Sequence, residues 1–167
     1  MNKKGFTLIE ILIVVGLIGL LGTLSAIAIG SARSKMRDAK RLSDVRMLQS
    51  ALEDHFKTVN QYPLHESLRL GDPTASRCLS TAGFAASCQG ASSVFMEVVP
   101  LEFTKGIGRD VVCGVPPQAG YCYTSVGQGG SYRLGFELEH SIKEAGIEKG
   151  ANCLIPETGI RSEACPD

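Results

Sequence analysis

The sequence predicts an α+β fold: one long N-terminal α-helix packed on a small antiparallel β-sheet head that carries disulfides. Three observations lead there. Residues 11–32 contain no charged side chain. Leu42, Val45, Leu48, Leu52, Phe56 and Val59 then recur every three or four positions, the spacing of a helix with one buried face. Residues 121–125 and 132–138 alternate apolar or aromatic with polar side chains around Gly127-Gln128-Gly129-Gly130, which predicts a hairpin.

Composition sets the outer limits. A chain of 167 residues has room for one ordinary domain. Seventeen basic and seventeen acidic side chains cancel, which argues against nucleic acid as the main partner. A mean hydropathy of +0.09 argues against several membrane spans.

Taken in order, residues 1–5 form a short polar leader with Lys3 and Lys4. Residues 6–32 are an apolar run broken only by Glu10. As a helix this run is about 40 Å long, enough to cross a hydrocarbon core of about 30 Å. Ala26 and Ala28 offer an A-x-A-like cleavage site for a conventional secretory signal, although the apolar stretch before it is longer than such signals have. Thr7-Leu8-Ile9-Glu10 fits a capping box, so Glu10 either satisfies backbone donors at a helix start or pairs with a cation from another chain. Gly16, Gly19, Thr23, Ala26 and Gly30, spaced 3, 4, 3 and 4, put small residues on one helix face where helices approach closely.

Gly5-Phe6-Thr7-Leu8-Ile9-Glu10, preceded by lysines and followed by the apolar run, resembles the class III signal of type IV pilins and type II secretion pseudopilins. The resemblance implies a pilin-like fold. It implies that a prepilin peptidase cuts after Gly5 and methylates the new amine of Phe6, that the apolar segment is retained, and that Glu10 pairs with the terminal amine of a neighbouring subunit. Such a pair costs less in low dielectric than either charge alone. The implied partners are further copies in a helical filament joined through the N-terminal helix, inner-membrane assembly machinery, minor pilins, and the membrane itself before assembly. The implied location is the inner membrane with the head outside, then a filament. Family members often carry a proline in this stretch, whereas this chain has none before Pro63.

Residues 33–62 continue the helix as its amphipathic half. The whole runs from Phe6 to about Thr58, about 80 Å, and stops before Pro63 because the residue preceding a proline avoids the α region. Residues 33–46 carry six basic and two acidic side chains, which read alone are either a patch for lipid headgroups or nucleic acid or, more plainly, a solvated helix surface. By the positive-inside rule they favour a cytoplasmic head, against the topology that the leader resemblance and the cysteines imply. Residues 133–167 carry four basic and seven acidic side chains, so opposite ends of a subunit are expected to attract neighbours in a stack. Asp44-Val45-Arg46 with Leu48, Ala51, Leu52, Glu53 and Tyr62-Pro63 resembles the matching stretch of major pseudopilins and many pilins.

The head, residues 63–167, holds all six cysteines: Cys78, Cys88, Cys113, Cys122, Cys153 and Cys165. An even set without C-x-x-C spacing favours disulfides over zinc. Fifteen pairings are possible; neighbours in sequence would close three short loops, each contributing about 2 to 3 kcal/mol. The alternative is six buried thiols. Residues 64–89 read as a loop with at most one short helix, 94–99 as a short helix or strand, 141–148 as ambiguous, and 151–167 as a tail. A C-terminal disulfide loop resembles type IV pilins, whereas many major pseudopilins instead have a calcium loop; Glu157, Glu163 and Asp167 do not make one, and no metal or cofactor is expected. No G-x-S-x-G, H-E-x-x-H or Walker motif is present, and His55, His65 and His140 are scattered, so no catalysis is expected. The expected role is a structural subunit of a pilus. The alternatives are a pseudopilin driving protein export and, from another class, a secreted binding or enzymatic domain with a conventional signal.

Overall fold

A computed structural model describes residue 5 and residues 7–102 and 107–166. Helix α1 (Leu8–Val59) runs unbroken for 52 residues. Thr7, in extended conformation, is its N-cap, so the helix starts two residues later than the apolar run. Asn60 ends it in the left-handed region at φ 58°, donating its N–H to the Phe56 carbonyl at 2.7 Å. Asn tolerates this conformation better than most residues.

Ten strands follow. β1 (Leu68–Arg69), β2 (Cys78–Ser80), β3 (Gly83–Ala85) and β4 (Val94–Met96) lie in the segment that follows the helix. β5 (Val112–Cys113), β6 (Gln118–Ala119), β7 (Cys122–Val126) and β8 (Ser131–Leu138) come next. After a 3-10 turn (Lys143–Ala145), β9 (Gly150–Ile155) and β10 (Gly159–Arg161) complete the chain. The main sheet has the order β1-β7-β8-β9-β10, all antiparallel. Smaller sheets are β3-β2-β4 and β5-β6.

The expected hairpin is β7-β8, with Cys122 opposite Gly135 and Val126 opposite Ser131. Two expectations need correction. The stretch read as a loop at 64–89 contains three strands, and the tail contains β9 and β10. β9 pairs on both edges, so it is interior to the sheet.

The even positions of β8, Tyr132, Leu134, Phe136 and Leu138, are buried toward the helix together with Tyr121, Tyr123 and Leu154. The helix answers with Val45, Leu48, Ala51 and Leu52, and Leu42 and Phe56 pack at the margin. Val59, expected on this stripe, is 39% exposed at the last residue of the helix. Phe56, Tyr62, Tyr132, Tyr123 and Phe84 form a run of ring contacts with centroids 4.6 to 5.7 Å apart, which closes the core at the helix C-terminal end.

Two of the three expected disulfides are present. Cys78–Cys88 ties β2 to the chain beyond β3, and Cys153–Cys165 ties the C-terminal segment to β9. The third is a correction: Cys113 and Cys122 remain thiols. Cys113 Sγ reaches the Tyr121 carbonyl at 3.8 Å, and Cys122 Sγ lies 4.0 Å from Ser67 Oγ.

Candidate functional site

The site begins where the helix has no partner. Every described position from Leu8 to Ile29 is exposed, and the most apolar 18-residue window of α1 has none of its residues buried. Fourteen large aliphatic side chains between those two residues are at least 50% exposed. Covering the remaining half of each contributes roughly 1 kcal/mol, or on the order of 15 kcal/mol together. That equals or exceeds the net stability of a typical domain, about 5 to 15 kcal/mol. Water is therefore the wrong surrounding for this rod, and by length and composition it can cross a membrane.

At its start, Glu10 and Thr7 form a reciprocal capping box. Thr7 N and Thr7 Oγ1 both donate to Glu10 Oε2, at 2.8 and 2.7 Å, and Glu10 N donates to Thr7 Oγ1 at 3.4 Å. The local role expected for Glu10 is thus realised in the single chain. Glu10 is also exposed among apolar neighbours. Gly5 is exposed ahead of the helix; Phe6 lies outside the described residues. Gly16, Gly19 and Gly30 have nothing within 4 Å of where a Cβ would stand, and Thr23 Oγ1 is satisfied by the Leu20 carbonyl at 2.8 Å. With Ala26, all five small residues are exposed.

Where the rod meets the head, a charge cluster that the sequence reading missed fixes the joint. Glu139, just past β8, takes two bonds of 2.6 Å from Arg37 Nε and Nη2 and one of 2.8 Å from Arg41 Nη1. Paired bonds from a planar guanidinium are directional as well as strong. They hold the Glu139 carboxyl down to about 2, the Arg37 hydrogen bond being the largest cause. Asp38 Oδ1 accepts from Arg41 Nη1 and from the Glu139 N–H, and Asp38 Oδ2 accepts from the His140 N–H. Arg41 Nε lies 3.4 Å from Glu102 Oε1, and both side chains are nearly fully buried. Burial pushes Glu102 up to about 8, with Arg41 pulling the other way. Tyr121 OH reaches Asp44 Oδ2 at 3.1 Å.

This corrects the reading of residues 33–46 as a solvated surface. Arg37 and Arg41 are spent on carboxylates of their own chain, so the charge asymmetry between helix and C-terminal region is in part intramolecular. The signal was present as six basic side chains against two acidic ones, but Glu139 lies 98 residues from Arg41, beyond the reach of any local pattern. Of the histidines, His55 is buried with Nδ1 on the Gln61 carbonyl at 2.8 Å, and His140 Nδ1 lies 3.1 Å from Asp38; each is engaged locally. Among the described residues no cluster of His, Cys, Asp and Glu could hold a metal ion.

Comparison with known proteins agrees with the N-terminal geometry. The profile of the prokaryotic N-terminal methylation motif matches residues 1–28. No curated protein and no solved structure matches the chain. Residues 1–28 thus carry the motif that marks the class III signal of type IV pilins and pseudopilins, and behind it stand the long helix and disulfide-bonded sheet of a pilin-like α+β fold.

Proposed function

We propose that the chain is a prepilin, cut after Gly5, methylated on Phe6, held in the inner membrane with its head outside, and polymerised into a type IV pilus filament. The observation that carries this is the wholly uncovered apolar rod that continues, without a break, into the helix of a folded head. A cleaved signal has no need of that continuity. In a filament the rods cover one another, and the small face of Gly16, Gly19, Thr23, Ala26 and Gly30 lets them approach closely. Glu10 then exchanges its Thr7 donors for the methylated amine of Phe6 on a neighbour, which sets the axial register as each subunit is added.

The Cys153–Cys165 loop favours a pilus subunit over a pseudopilin. The stretch from Asp44 to Pro63, similar to that of major pseudopilins, keeps protein export as the second reading. Glu10→Ala separates assembly from processing: the leader should still be removed and filaments should be lost. Normal filaments from this variant would reject the register role. Loss of surface filaments without loss of secreted protein favours the pilus, and the reverse favours export.

A further inference from the structure

A long groove opens between helix α1 and the turn that joins β8 to β9. On the helix its lining positions run from Lys35 to Ser50, about 22 Å along the axis, and the opposite wall is the stretch from His140 to Glu144. Its volume of about 870 Å³ is that of a ligand pocket. Leu42 and Ile142, both half-buried, and the exposed Met47 give it an apolar floor, and the exposed Lys35, Arg46 and Lys143 stand around it.

The structure divides the basic side chains of the helix into two groups. Arg37 and Arg41 are bound to Glu139, Arg41 also to Asp38, and Lys40 lies 3.0 Å from Asp44. None of the ion pairs among the described residues involves Lys35, Arg46 or Lys143. Against these three cations the groove has one exposed carboxylate, Glu144; Asp38 is buried and engaged by Arg41 and two backbone amides. The lining therefore keeps a positive excess that the chain itself does not neutralise.

The length of the rod brings this groove to the membrane surface. From Leu8 to Ala32 the helix measures about 37 Å, about 7 Å more than the hydrocarbon core, and a span that is too long leans. Leaning lowers one flank of the head onto the headgroups. The flank with the unpaired cations is the one that an anionic leaflet attracts, and Lys35 stands one turn beyond the charge-free run.

We propose that the groove holds the headgroup of an anionic phospholipid while the subunit waits in the membrane. Lys35 and Lys143 meet the phosphate, Arg46 adds to the attraction from further along the helix, and Leu42 and Ile142 lie against the ester-linked start of the acyl chains. The site rests on the reading of the rod as a retained span, and it adds to that reading a lipid class and the residues that select it.

The test titrates the full chain in detergent with phosphatidylglycerol or phosphatidylcholine, read by native mass spectrometry, and follows amide exchange of peptides 140–149 in nanodiscs of either lipid. Phosphatidylglycerol should stay bound and slow that exchange, and phosphatidylcholine should do neither. Lys35→Gln, Arg46→Gln and Lys143→Gln together should weaken apparent affinity about 100-fold, about fivefold per charge, and added salt should weaken it too. Lys57→Gln, at the other end of the helix, should change nothing. Equal retention of the two lipids, an unchanged affinity in the triple variant, or slowed exchange only where copies cross-link through the groove would overturn the proposal, the last in favour of a second copy as occupant. A mature chain that lacks the rod overturns the retained span and this site with it; a chain that keeps the rod and binds no phosphatidylglycerol overturns the lipid site alone.

Discussion

The two halves of the one helix differ in what covers them. From Leu8 to Ile29 no described side chain is buried; from Val45 to Leu52 the inward stripe is almost wholly so. Helix geometry is the same in both. The first half is apolar all round and finds no partner within its own chain, while the second has one apolar stripe and finds the sheet. Amphipathicity therefore marks the half that stabilises the single subunit, and its absence marks the half that needs other copies or lipid.

The charge cluster at the boundary offers the hardest way to break that comparison. Arg41→Leu leaves Asp38, Glu102 and Glu139 without their shared cation and should cost about 3 to 5 kcal/mol in unfolding of the head. Denaturant titration checks it, and an unchanged midpoint would show that the joint contributes nothing. Slightly smaller, and more direct, is a pair of truncations. Leu48→Ala, at a fully buried site, should cost about 2 to 5 kcal/mol. Leu17→Ala, 54% exposed, should leave head stability within about 0.5 kcal/mol and act on filament yield instead. Equal effects on the head would erase the distinction between the halves.

The joint can also be probed through its pH dependence. Glu102 binds its proton more tightly folded than unfolded, so the stability it contributes is complete below its ordinary value of 4.5 and is lost as pH rises through about 8. Glu139 has the opposite sign: its contribution is present above 4.5 and lost as pH falls through about 2. Glu102→Gln should flatten the decline between pH 5 and 8, on the order of a few kcal/mol, and thermal melts across that range would read it. An unaltered profile would place the titration elsewhere.

Legibility followed the range over which each feature is encoded. The helix and the β7-β8 hairpin were readable because periodicity and a glycine-rich turn are local signals. β2 and β3 were not, since Cys-Leu-Ser and Gly-Phe-Ala are too short to alternate. β9 escaped because its residues are buried on both faces, Asn152 and Cys153 included, and a strand covered on both sides has no polar face to betray its period. At the site, the capping box and the small-residue face could be read directly. The acidic partners of Arg37 and Arg41 could not, because folding alone brings them near. Nor did sequence spacing distinguish the Cys113 and Cys122 thiols from the two pairs that are bridged.

The central claim is that the apolar rod stays on the mature protein, and the mass and N-terminal sequence of the chain isolated from its native cell test it most directly. The account predicts a chain beginning with N-methylated Phe6 and retaining every residue of the rod. A mature chain beginning near Ile29, after the Ala26-x-Ala28 site, would contradict it.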